Sequence, residues 1–288
     1  MVTKKRAYYF ILLSIIFSVF SDVTAKFLCS NLNVFQILFF RFFFSFIMLI
    51  PIARINKLSF DSVINIELNI LRGILGFFGF AVFIYSFTIL PLVDVVAISW
   101  STPIFTFMLS SIILKEKPSK EVVFACIISI FAVAFMFLNQ IDVCLISFLP
   151  LSAAFLFSLQ DIMIKKMQKE NEIVMLISFS LVVAMLSFPF AIYYWKKICF
   201  NDILLLVFLG FLNNTMQYFL IRSYQLSKLS SLTPLKYTEI ILSALLGYLF
   251  FYEIPSFKTI IGSLVIAVAT SIVLRNQFKK TDAILQNY

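Results

Sequence analysis

Ten stretches of about twenty residues, each nearly free of charge, follow one another along this chain: roughly 8–28, 34–53, 71–90, 93–114, 121–139, 143–164, 173–194, 203–221, 232–252 and 257–275. A helix needs about 20 apolar residues to cross the hydrocarbon core of a bilayer, and it satisfies its own backbone polar groups there. Each stretch is therefore predicted to be a membrane span. The expected fold class is an all-α integral membrane protein of ten transmembrane helices. Composition agrees, since 62% of the 288 residues are hydrophobic and 13% charged, against about half and about a quarter in a soluble domain. The connecting segments leave no room for a soluble domain. The run after Lys4-Lys5-Arg6 is too long for a secretory leader and lacks a small-x-small exit, so it is expected to be a retained span.

Basic residues alternate sharply along this ladder. With the N-terminus inside, seventeen Lys and Arg fall on the cytoplasmic side and three, Lys196, Lys197 and Lys258, on the outer side. That asymmetry predicts both termini in the cytoplasm. It also accounts for the net charge of +9, so nucleic acid is not an expected partner. There is no histidine, and Cys29, Cys126, Cys144 and Cys199 are scattered without a C-x-x-C pair. No metal site, no catalytic centre and hence no enzyme is expected.

Internal repetition organises the ten spans. Asp22-Val-Thr-Ala-Lys26 returns as Asp161-Ile-Met-Ile-Lys165, 139 residues later; Tyr85 matches Tyr224 at the same offset, and Glu116-Lys-Pro-Ser119 matches Glu253-Ile-Pro-Ser256 at 137. Two five-span units are expected, residues 1–140 and 141–288. An odd number of spans makes the second unit enter the membrane inverted. Asp22 and Lys26 then lie near the outer end of span 1, and Asp161 and Lys165 near the inner end of span 6. Residues four apart share a helix face, so each acid–base pair can satisfy itself sideways. These four residues are candidate gate or ion-pair elements; the alternative for the lysines is anchoring at the nearer interface.

Asp22, Lys26, Arg41, Asp161, Lys236 and Glu239 all fall inside spans. At a helix centre each costs about 2.5–3.5 kcal/mol, unless it is paired or faces a watery cavity. Arg41 stands alone in Phe39-Phe40-Arg41-Phe42-Phe43-Phe44 and needs an anion. That anion is either a substrate carboxylate or Asp22. Lys236 and Glu239 share a face of span 9, with Tyr237 between them. Span 4, its repeat mate, carries Ser99-Trp100-Ser101-Thr102-Pro103, where Pro103 frees the Ser99 carbonyl. Such irregular backbone lines a cavity or simply bends the helix. A tryptophan this deep either stacks on a ligand or packs. The candidate substrate-binding residues are Arg41, Trp100, Lys236, Tyr237 and Glu239. Gln160, Asn213, Asn214 and Gln217 are secondary, since amides in lipid also bond between helices.

Two five-span halves with Glu-x-Pro after spans 4 and 9 resemble the drug/metabolite transporter superfamily of the EamA type, over essentially the whole chain. More narrowly, Phe39-Phe40-Arg41-Phe42-Phe43-Phe44-Ser45, Leu71-Arg72-Gly73 with Phe77-Phe78-Gly79, Asp22 with Lys26 and Asp161 with Lys165-Lys166 resemble one branch of it. That branch takes up S-adenosylmethionine into obligate intracellular bacteria. The resemblance implies secondary import of S-adenosylmethionine across a bacterial inner membrane by alternating access, with that solute and the lipid bilayer as partners and no cofactor. It leaves a homodimer open. Export of amino acids or related metabolites on the same fold is the alternative. The implied ligand has a carboxylate for Arg41 or Lys236, positive charges for Asp22, Asp161 or Glu239, and an adenine for Trp100 or Tyr237.

Overall fold

Spans of this kind fold as helices because lipid offers the backbone no other partner. The structure, a computed structural model, describes residues 2–58, 64–90, 92–99, 101–116, 120–137 and 148–252, with parts of 257–269. Among the described residues every regular element is an α-helix: α1 (Val2–Cys29), α2 (Val34–Ile55), α3 (Ile66–Ile89), α4 (Leu92–Ser99), α5 (Ser101–Ile113), α6 (Lys120–Phe137), α7 (Phe148–Lys166), α8 (Glu172–Tyr193), α9 (Phe200–Leu226), α10 (Leu229–Lys236) and α11 (Glu239–Phe251). Six of them, α1, α2, α3, α7, α8 and α9, are long and apolar enough to cross a membrane. The expected spans 93–114 and 232–252 are covered by α4 with α5 and by α10 with α11. Most of the tenth expected span, 257–275, lies outside the described residues.

Local chemistry sets the helix ends. Asn33 starts α2 by accepting from Phe35 N at 3.0 Å, while Gln36 reaches back to Asn33 N at 3.4 Å. This reciprocal capping closes the tight turn after α1. Asn171 caps α8 in the simpler way, accepting from Ile173 N at 2.9 Å. The ninth stretch is interrupted at Tyr237–Thr238, where Thr238 N donates to Leu235 O at 3.0 Å. Lys236 ends α10 and Glu239 begins α11. A cation at a helix C-terminus and an anion at an N-terminus both oppose the local dipole charge, which makes an interruption at this depth tolerable.

The packing partners are reciprocal. α1 packs on α9 and α7 on α3; α2 packs on α9 and α8 on α3; α5 packs on α7 and α11 on α1; α4 packs on α7 and α10 on α1; α2 and α8 pack on each other. Exchanging α1–α5 with α7–α11 reproduces the same set of contacts. α3 approaches α8 closely through glycine: a Cβ on Gly76 would sit 2.4 Å from Cε2 of Phe179, and one on Gly73 would sit 2.5 Å from Cγ1 of Val182. Outward-facing side chains are apolar, among them Phe43, Ile47, Phe78, Met185 and Phe211, as a lipid-facing surface requires.

Arg72 departs from the expectation drawn from charge counting. It is one of the seventeen basic residues counted on the cytoplasmic side, at the flank of span 3, but it lies within α3 and is fully buried. The helix extends to Ile66, so the charge enters the bundle instead of marking its edge.

Candidate functional site

Two apolar clusters fill the bundle. One is built on α2, α3 and α8 around Phe42, Phe77, Phe80 and Phe179. The other joins the start of α1 to the ends of α7 and α9 through Ile11, Ile15, Ile164 and Ile221. Between them lies a cavity of about 140 Å³, with Ile15 and Ile164 on one side and Phe80, Phe83 and Val96 on the other. Its polar lining comes from both parts of the chain: Ser14, Ser18 and Asp22 of α1, Arg41 of α2, Ser99 of α4, Thr102 of α5, Gln160 and Asp161 of α7, Gln217 of α9, Lys236 of α10 and Glu239 of α11.

Arg41 is the most deeply buried charge of this lining. Its side chain is 1% exposed. Nε donates to Asn213 Oδ1 at 3.2 Å, and the guanidinium carbon lies 4.5 Å from the centroid of the Phe80 ring. Asn213 is held in turn, Nδ2 donating to Ser45 Oγ at 3.3 Å, and the Ser45 and Ser180 hydroxyls share a 2.9 Å hydrogen bond. Asn214 donates to the Ser45 carbonyl at 2.9 Å and its side-chain oxygen accepts from the Ser45 hydroxyl. This network joins α2, α8 and α9 and fixes the guanidinium against an aromatic face, where it gains further attraction from the ring. Nη1 of Arg41 has no partner among the described residues.

Asp22 is 7% exposed and lies within electrostatic reach of Arg41 and Glu239. Ser18, one turn earlier on the same face of α1, hydrogen-bonds the Glu239 side chain. The sequence reading offered Lys26 as the neighbour of Asp22. In the structure Lys26 does not line the cavity, and its ammonium lies 4.6 Å from the centroid of the Phe251 ring. Asp161 has a partner other than the one expected. It was expected to pair with Lys165, but Lys236 reaches it at 2.5 Å and Thr106 Oγ1 donates to it at 3.0 Å. Lys165 Nζ instead donates to the carbonyls of Tyr224 and Ser227, both at 2.8 Å. Those carbonyls close α9, whose last-turn acceptors and negative dipole end attract a cation more directly than a same-helix carboxylate does.

Of the proposed ligand contacts, Arg41, Lys236 and Glu239 line the cavity, whereas Tyr237 does not. Tyr237 is fully buried within the cluster built on α2, α3 and α8. The turn between α10 and α11 carries its ring away from the cavity. Trp100 lies outside the described residues. The aromatic wall that the cavity does have was not expected: Phe80 and Phe83 lie 4.9 and 5.6 Å from Phe157 by ring centroids, and all three line the void. Arg72 was also missed. It sits 4.3 Å from the Phe179 ring centroid and donates to Met175 O at 3.1 Å and to Gln217 Oε1 at 2.9 Å, so it fixes a side chain of the cavity wall. Its place in Leu71-Arg72-Gly73, four residues before Gly76 on a glycine-bearing stretch, was the available signal.

Glu116, from the first Glu-x-Pro box, accepts from Leu229 N at 3.1 Å and Ser230 N at 2.9 Å. A carboxylate on the free N–H groups at the start of α10 satisfies them and complements the dipole. Its repeat mate Glu253 lies outside the described residues.

Known proteins resemble this chain along its length. The EamA-like transporter family model matches residues 5–138 and again 145–275. The S-adenosylmethionine uptake transporter of Rickettsia prowazekii is 30% identical over 278 residues, 94% of this chain and 93% of that protein. The transporter of the same description from Rickettsia felis is 30% identical over 274 residues, 93% of this chain and 92% of that one. One solved crystal structure has the same fold, with a TM-score of 0.75 over 95% of this chain and 97% of its own, at 14% sequence identity.

Proposed function

Because the chain belongs to the EamA-like transporter family, we propose that it imports S-adenosylmethionine across a bacterial inner membrane by alternating access. It is a multi-pass membrane transporter. In this reading its ten spans form two inverted units, residues 1–140 and 141–288, with both termini cytoplasmic. The reciprocal packing of α1–α5 against α7–α11 and the family's two matched segments support the inversion.

One observation carries the substrate: a cavity lined from both units that holds both signs of charge beside an aromatic wall. Asp22, Asp161 and Glu239 stand against Arg41 and Lys236 in that lining, and Asp161 and Lys236 neutralise each other. What is left is two carboxylates facing one guanidinium. S-adenosylmethionine carries a sulfonium, an ammonium and one carboxylate, and complements that remainder group by group. Phe80, Phe83 and Phe157 take the adenine in place of Tyr237. Arg41 takes the carboxylate, as charge-assisted pairing in a dry site favours.

The carrier must move to admit such a ligand. A cavity of about 150 Å³ holds a benzene-sized ring, and this one, at about 140 Å³, is too small for the whole molecule. The structure is thus read as a contracted state. Lys236, Asp161 and Thr106 tie α10, α7 and α5 together beneath the cavity, so this cluster is the inner gate in place of Asp161 with Lys165. Asp22, with Glu239 and Ser18, is the outer counterpart. Labelled S-adenosylmethionine supplied to cells expressing the protein should accumulate saturably, and Arg41→Ala should abolish the uptake while the protein remains in the membrane. Absence of saturable uptake contradicts the substrate, and unchanged uptake by Arg41→Ala removes Arg41 from the site.

A further inference from the structure

Two residues that line this cavity each carry a buried nitrogen donor without an acceptor. One is Nη1 of Arg41; the other is Nε2 of Gln160, a residue that is 5% exposed and lines the void on α7. An unsatisfied buried donor is unfavourable, and native structures rarely keep one without a use. Here two of them flank one aromatic wall. The Arg41 guanidinium lies over Phe80, and Phe80 packs on Phe157, one turn before Gln160 on α7.

The Gln160 amide packs against α3 where the sequence offers no side chain to bond it. The facing positions on α3 are glycines: a Cβ at Gly79 would stand 3.5 Å from Nε2, and one at Gly76 would stand 3.4 Å from Oε1. Its neighbour Asp161 is already engaged by Lys236 and Thr106, so the amide is not needed to satisfy that carboxylate. Arg41 is likewise fixed by Asn213 through Nε alone, which leaves its outer nitrogen for another acceptor.

We infer that Arg41 Nη1 and Gln160 Nε2 form a subsite for the carboxylate of the substrate's amino-acid end, with Gln160 as a specificity-determining residue. The assignment rests on the substrate reading above and adds a residue to it. A guanidinium and an amide can each donate to one oxygen of the same carboxylate. The amide adds no charge, so the excess of acid over base that suits a cationic ligand is preserved.

A ligand lacking only that carboxylate isolates the subsite. Purified full-length protein in lipid nanodiscs is titrated with S-adenosylmethionine and with decarboxylated S-adenosylmethionine. Wild-type protein should bind the former more tightly. Gln160→Leu should weaken S-adenosylmethionine by roughly tenfold, the scale of one hydrogen bond to a charged group, and leave the decarboxylated ligand unchanged. Gln160→Glu keeps the shape but opposes a carboxylate, so it should weaken S-adenosylmethionine further while retaining the decarboxylated ligand. Equal weakening of both ligands by these variants, or no weakening of either, overturns the assignment. Failure of wild-type protein to bind either ligand contradicts the substrate reading itself and takes the subsite with it.

Discussion

At the scale of single residues, the cavity is organised by which charges are already satisfied. Arg41 is stacked on Phe80 and tethered through one nitrogen, so its use depends on the planar fork as well as on its charge. Arg41→Lys keeps the charge but loses the stacking and the second donor, and uptake should fall by roughly tenfold or more in a labelled-substrate assay. The Lys236–Asp161 pair behaves differently. Removing one partner strands a buried charge and should destabilise the protein by about 3–5 kcal/mol, whereas replacing both with apolar residues of similar volume should be near neutral. Thermal unfolding in detergent of Lys236→Met, Asp161→Leu and the double variant tests this, and additive losses would contradict it. Arg41 was legible in the sequence because it interrupts a run of phenylalanines. The partner of Asp161 was not legible. Residues four apart are visible neighbours on a helix, but only the packing of α10 on α7 brings Lys236 closer to that carboxylate than Lys165.

At the scale of helices, the positions that matter are those where two elements touch closely or where one ends. Gly76→Ala would drive a methyl group into the Phe179 ring; overpacking of this kind costs about 1–3 kcal/mol, and the melting temperature should fall accordingly. Glu116→Ala removes the acceptor for two N–H groups that open α10. It should destabilise the protein by about 1 kcal/mol, as loss of a helix cap does, and Glu116→Gln should recover part of that. Long apolar helices were readable from uncharged length alone. The interruption of the ninth stretch was less so, because Pro234 and the Lys236–Glu239 pair mark an irregularity without showing that the backbone turns at Tyr237–Thr238 or which way Tyr237 then faces. Arg72 shows the opposite failure: a charge at the margin of an apolar run looks like an orientation signal, and only the extra turn of α3 beyond it brings it into the core.

At the scale of the whole molecule, the claim is that two inverted units share one cavity and expose it alternately. Recurrence of Asp-x-x-x-Lys at a fixed offset suggested the duplication, and reciprocal packing supports it. The recurrence itself now means something narrower: the acids of the two copies face the cavity, while the lysines lie off it. With Cys29, Cys126, Cys144 and Cys199 replaced by serine, a single cysteine placed at 196 or 197 should react with an impermeant thiol reagent in intact cells, and one near residue 5 or 166 should react only after permeabilisation. A carrier with one shared cavity differs most plainly from a pore in how an opposing pool of substrate affects it. Liposomes containing the purified protein, preloaded with unlabelled S-adenosylmethionine and diluted into a trace of labelled S-adenosylmethionine, should accumulate label faster than empty liposomes, and Arg41→Ala should remove the effect. Label entering at the same rate with and without the internal pool would contradict alternating access by this site.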